Sequence, residues 1–151
     1  MKVLMVCLGN ICRSPMAEGI LRKKAEEKKI NLHIDSAGTG NWHAGENPDP
    51  RAVATARNFD INISNLVARQ FKQQDFDDFD EIFAMDTQNF KDILSKARNE
   101  SDKKKVRLFL DLIPANKIKD VPDPWFGGAE GFVNVFHMLE EACENYLRKY
   151  R

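Results

Sequence analysis

The stretch "VLMVCLGNICRSP" (residues 3–15) decides the fold. Together with Lys2, its first half makes "KVLMV" (residues 2–6), a short, apolar and partly β-branched run that reads as a buried strand. Its end opens a helical pattern, with Ser14 placed as N-cap and Pro15 at the first helical position. Met16, Ile20, Leu21 and Ala25 make the inner face of that helix, and the charged run "RKKAEEKK" is its solvated side. Between strand and helix lies a short loop with a cysteine at its floor and an arginine six positions on.

The same alternation continues along the chain. "LHIDSAG" (residues 32–38) reads as a second strand and runs into the loop "GTGNWHAGENPDP". Asp49 and Pro50 open a helix over "PRAVATARNF". "EIFAMD" (residues 81–86) reads as a third strand, with a helix through "TQNFKDILSKAR" behind it. "VRLFLDLI" (residues 106–113) holds a fourth strand, and "KDVPDPWFGG" is a loop with two prolines. Apolar residues at 132, 136, 139, 143 and 147 mark a long amphipathic final helix. Strands alternating with helices predict an α/β fold, a parallel sheet covered on both faces with right-handed crossovers. No repeat, linker or low-complexity segment interrupts it, so all 151 residues are expected to form one domain.

In an open α/β sheet, ligands bind beyond the carboxyl ends of the strands, and residues 7–14 sit there. A tight loop feeding a helix N-terminus aims several backbone N–H groups at one point, a nest that favours an anion. Gly9 and Asn10 tolerate the left-handed backbone that such a turn uses. Arg13 adds a planar fork suited to two phosphoryl oxygens. Cys7, at the floor, is expected to be held as a thiolate by the same groups, a nucleophile aimed at phosphorus. Ser14 is placed to donate its hydroxyl to the sulfur. Cys-x5-Arg alone is a weak signal; the preceding strand, the Gly-Asn and the Ser-Pro-helix make it specific. Transfer to cysteine also needs an acid for the departing oxygen. Asp123, between Pro122 and Pro124 after the fourth strand, is the candidate, with Trp125 and Phe126 as walls against an aromatic leaving group.

Composition narrows the alternatives. Lys+Arg and Asp+Glu both number 23, which gives no electrostatic case for nucleic acid or anionic membrane. No apolar run approaches a membrane span, and the N-terminus lacks a signal-peptide layout. Three cysteines, an odd number, argue for a reducing cytoplasm rather than a disulfide framework. His33, His43 and His137 are scattered and suggest neither a metal site nor a catalytic base, and no cofactor is expected. Cys143 reads as core, and Asp49 and Asp86 as residues that brace loops.

"CLGNICRSP", "DSAGTGNW", "PDPRA", "ARQ", "FDEIFAMD" and "DPWFGG" together resemble the low-molecular-weight protein-tyrosine phosphatase family over essentially the whole chain. The resemblance implies a four-stranded parallel sheet with helices on both faces. It implies phosphotyrosine proteins as substrates, inorganic phosphate as product and a monomer as the working unit. It assigns Cys7 as nucleophile, Arg13 as phosphate clamp, Asp123 as general acid and Ser14 as support for the thiolate. Asn10 and Ser36 resemble the residues that hold the loop shape. Cys12 resembles the second cysteine that traps an oxidised nucleophile as a reversible disulfide. Trp42 and Trp125 resemble the cleft walls, with Leu8 and Ile11 lining it. Many members carry a histidine just before the stretch matching "VARQ"; here Leu66 stands there, so the loop must be braced differently. Arginine phosphatases on the same scaffold favour threonine at the position of Ile11. Arsenate reductases need cysteines after strand three, and residues 80–99 contain none. A phosphocysteine carrier and a non-catalytic phosphoprotein-binding module are the remaining alternatives, and an intact Asp123 with Arg13 speaks for turnover.

Overall fold

A computed structural model describes residues 1–114 and 117–150 of the chain. Four strands among them form one parallel sheet: β1 (Lys2–Cys7), β2 (His33–Gly38), β3 (Glu81–Ala84) and β4 (Val106–Leu108), in the order β2-β1-β3-β4. The helices are α1 (Arg13–Glu27), α2 (Pro50–Asn58), α3 (Asp75–Asp78), α4 (Thr87–Leu94), α5 (Glu100–Lys104) and α6 (Ala129–Leu147). Tight 3-10 turns cover Phe109–Leu112, Pro124–Phe126 and Arg148–Tyr150.

The period-two pattern of β1 divides the core. Val3 and Met5 face a cluster built with Met16, Ile20 and Leu21 of α1, Ala52 of α2 and Phe132, Phe136 and Leu139 of α6. Leu4 and Val6 face the opposite layer, with Phe71, Phe76 of α3 and Ile93 of α4. With both faces covered, Val3 to Val6 are fully buried, which is why this strand is apolar throughout rather than alternating. The chain passes from β2 back across β1 to β3. The loops after β1 and β3 therefore open onto one crevice, where such sheets bind ligands.

Several boundaries differ from the sequence expectation. Helix α1 starts at Arg13, with Cys12 rather than Ser14 at the cap position. Ser14 lies inside the first turn because its hydroxyl is engaged by Cys7 and Asn10. Pro15 still falls where a helix has no use for the missing N–H. β3 stops at Ala84, since Asp86 leaves the sheet to cap α4, accepting a hydrogen bond from Asn89 N at 2.7 Å. β4 is cut to three residues. Phe109 and Leu110 are both buried in the same cluster, which a strand, sending neighbours to opposite faces, does not allow. The helix expected through residue 98 ends at Leu94, and α5 starts afresh behind an Asn99 cap.

Candidate active site

Cys7 ends β1 with 3% of its surface exposed. Its sulfur receives the backbone N–H of Asn10 at 3.3 Å and stands 3.0 Å from Ser14 Oγ. Asn10 takes the left-handed conformation, with φ of 58°. The loop makes its turn there and not at Gly9, which serves a different need: a Cβ at residue 9 would lie 3.0 Å from the ring of His43.

A chain of hydrogen bonds fixes the loop. Asn10 Nδ2 donates to Ser14 Oγ at 2.7 Å and to Ser36 Oγ at 2.9 Å, and Ser36 donates to Glu18 Oε1 at 2.7 Å. Ser14 accepts from Asn10, and its own proton lies between the Cys7 sulfur at 3.0 Å and the Ala37 carbonyl at 3.5 Å, the sulfur being the nearer. The other side of Asn10, Oδ1, accepts from the backbone N–H of Arg69 at 3.1 Å. That main-chain donor is how the loop is braced with Leu66 in place of a histidine. Leu66 itself packs against the core, and its carbonyl accepts from Asn47. Arg69 is in turn fixed by Asp35 and Asp75.

Glu18 was not among the residues that the sequence singled out. It is 3% exposed, and burial raises its pKa against the opposing pull of Ser36 and Arg22. A carboxyl with a raised folded-state pKa binds its proton more tightly in the native than in the unfolded chain. Its contribution is present below the ordinary Glu value and is lost as pH climbs through the raised one. Urea midpoints of wild type and Glu18→Gln, measured from acid to neutral pH, are expected to diverge, the wild type losing stability relative to the variant as pH rises. Parallel curves would mean that Glu18 titrates as it does in the unfolded chain.

Arg13 is 3% exposed and crosses the mouth of the sheet. Its Nη1 donates to Asp86 Oδ2 at 2.6 Å and to the Val121 carbonyl at 3.0 Å, and its Nη2 lies 4.0 Å from Asp123 Oδ2. Burial opposes its charge, but Cys7, Asp86 and Asp123 outweigh that and raise its pKa. Asp123 has a partly exposed side chain, and its Oδ1 caps the Pro124–Phe126 turn by accepting from Trp125 N at 3.0 Å. The segment before it is fastened to the β3 edge: Val121 N donates to Met85 O, and Asp120 accepts from Thr87 N and Oγ1 at 2.7 and 2.6 Å.

These groups line a cleft of about 190 Å³, to which Cys7, Cys12, Arg13 and Asp123 contribute together with Leu8, Ile11, Trp42 and Trp125. Trp42 and Trp125 are exposed. The side chain of Phe126 lies outside the described residues. His43 also lines the cleft, its ring 5.8 Å from that of Trp125 and its Nδ1 3.1 Å from Glu46. The sequence gives no sign of this placement, since the pairing of two distant loops leaves no mark in local spacing. His137 packs on Phe59 and Phe136, and Cys143 is fully buried. Cys7, Cys12 and Cys143 are all outside any disulfide. Burial, and then the Asp49 carboxylate, push the Cys12 pKa up, so that this neighbour stays a neutral thiol. No cluster of three or more His, Cys, Asp or Glu side chains among the described residues has the arrangement to hold a metal ion.

Comparison with known proteins agrees over the whole chain. The family model for low molecular weight phosphotyrosine protein phosphatase matches residues 2–151. A relative of that name from Schizosaccharomyces pombe is 40% identical over 150 residues, covering 97% of this chain and 95% of its own. The crystal structure of a protein tyrosine phosphatase from Entamoeba histolytica superposes with a TM-score of 0.93 at 38% identity, covering 99% and 96% of the two chains. A Drosophila arginine phosphatase superposes with a TM-score of 0.93 at 35% identity, covering 100% and 98%.

Proposed function

The chain belongs to the low molecular weight phosphotyrosine protein phosphatase family, and from that premise we propose that it hydrolyses phosphotyrosine in proteins through a phosphocysteine intermediate. The observation that carries the mechanism is that Cys7, Arg13 and Asp123 line one cleft with Trp42 and Trp125.

The phosphoryl group sits over the loop of residues 8–13, held by backbone N–H groups and by donors of Arg13 other than the one bound to Asp86. The Cys7 thiolate attacks phosphorus, and the P–S bond forms as the P–O bond to the tyrosine ring breaks. The phenolic oxygen leaves with the proton of the Asp123 carboxyl. In the second step the Asp123 carboxylate takes a proton from water as that water attacks phosphorus. The thiolate is expelled with the Ser14 hydroxyl and Asn10 N–H directed at it, and inorganic phosphate is released. Asn10, Ser36 and Glu18 hold this geometry. Cys12 lines the same cleft as Cys7, which supports its reading as the thiol that captures an oxidised nucleophile.

Among the described residues no helix is long and apolar enough to cross a membrane. We place the enzyme in the cytoplasm, as a monomer without nucleic-acid or membrane partners. The alternative is phosphoarginine hydrolysis, which the Drosophila neighbour brings forward. The apolar surround of Leu8, Ile11, Trp42 and Trp125 favours a flat phenyl ring instead. Phosphotyrosine, phosphoserine and phosphoarginine peptides compared at equal enzyme concentration test the choice. Phosphotyrosine is expected to give the highest kcat/KM; the highest value on phosphoarginine would reverse the assignment.

A further inference from the structure

We propose that Arg51 is a positioning residue for proton donation, the working end of a strut that ties the Asp123 loop to the phosphate loop. The inference rests on the reading of Asp123 as the acid.

Asp49 begins the strut. Its backbone N–H donates to Ile11 O at 2.8 Å, which joins the start of α2 to the phosphate loop. Its carboxylate, 7% exposed, accepts from Arg51 three times: from the backbone N at 2.8 Å, Nε at 3.1 Å and Nη2 at 2.9 Å. A guanidinium held in this way has one terminal nitrogen left to point outward. That nitrogen, Nη1, reaches the carbonyls of Trp125 at 3.1 Å and Gly127 at 3.5 Å. The guanidinium also lies over the rings of Trp125 at 5.3 Å and Phe132 at 4.8 Å.

Asp123 sits between two fastened ends. Upstream, Asp120 and Val121 are bound to Thr87, Met85 and Arg13. Downstream, Arg51 binds the two carbonyls. The carboxyl between them has its own cap contact with Trp125 N and stands 4.0 Å from Arg13, so the ends set where its proton is delivered. The Arg51 side chain is 41% exposed, and an ion pair that open adds little to stability. Its effect is geometric, and a displacement of about 1 Å at a reacting group costs on the order of 10²-fold.

Arg51→Met keeps an unbranched apolar stem over the two rings and removes the donors. Three quantities decide the matter, each read in the wild-type and the Asp123→Asn backgrounds. They are single-turnover rates on phenyl phosphate, the same rates on nitrophenyl phosphate, and the inhibition constant of inorganic phosphate. Arg51→Met is expected to slow phenyl phosphate by about 10- to 10²-fold. It slows nitrophenyl phosphate, with its weaker-base leaving group, distinctly less. Phosphate inhibition stays within about twofold, and so does the further effect of Arg51→Met on Asp123→Asn, because the step it served is already gone. Arg51→Lys, with one donor restored, falls between the two. Equal losses on both substrates in Arg51→Met, the same loss repeated in the Asp123→Asn background, or an unchanged rate on phenyl phosphate would overturn the strut. Equal losses in Asp123→Asn alone would remove the acid assignment and the strut with it.

Discussion

Cys7→Ser is expected to lose turnover by about 10⁴-fold or more while still binding inorganic phosphate. In the proposed reaction the phosphate is held by the loop N–H groups and Arg13, none of which belongs to the residue 7 side chain. A serine Oγ at this floor meets Asn10 N–H and Ser14 Oγ, neither of which is a base able to take its proton. It therefore stays a neutral alcohol, a poor nucleophile toward a phosphoryl dianion. Titration with phosphate, followed by tryptophan fluorescence from Trp42 and Trp125 at the cleft, gives the binding half of the result. Hydrolysis at the wild-type rate would end the cysteine mechanism. Loss of phosphate binding together with turnover would instead mean that the sulfur organises the loop.

Asp123→Asn carries the second large effect, and its size depends on the substrate. A tyrosine leaves as a phenolate whose conjugate acid has a pKa of about 10, so it needs a proton as the P–O bond breaks. General acid catalysis supplies about 10²- to 10⁴-fold in such a step. Asparagine keeps an oxygen for the Trp125 N–H cap and loses the proton. Rates of phosphoenzyme formation are expected to fall by that full range on phenyl phosphate and phosphotyrosine. The loss shrinks steadily as the leaving group becomes a weaker base, reaching its smallest value on nitrophenyl phosphate. Plotted against leaving-group basicity, the variant is steep where the wild type is shallow. A uniform loss across the series would make Asp123 a shaper of its loop through the Trp125 cap.

Much of this was open to reading in the sequence because it depends on local order. The strand, the loop and the helix of residues 2–27 follow one another directly, and strict apolar continuity in β1 announces a strand buried on both faces. Asp49 before Pro50 is a cap that spacing alone identifies, and its side chain does accept from Arg51 N. Less legible were elements with too few residues to show a period: α3 and α5 have four and five. β4 reads longer in sequence than it is because the 3-10 turn behind it is as apolar as a strand. Glu18 left a usable trace, an acid among the buried positions Met16, Ala17, Ile20 and Leu21 and four residues after Ser14, on the same side of α1. A carboxylate on an inner face needs a partner, and Ser36 is that partner. The roles of Arg51 and His43 had no such trace. Each contacts a loop more than seventy residues away, a pairing made only when the chain folds.

The P–S bond is tested most directly by mixing wild-type enzyme with phosphorus-labelled nitrophenyl phosphate, quenching in acid within one turnover and mapping the labelled peptide. A phosphorylated Cys7, absent from Cys7→Ser and lost on the timescale of turnover, is the predicted result. Label on a histidine or serine, or hydrolysis at full rate with no labelled protein at any quench time, would contradict it.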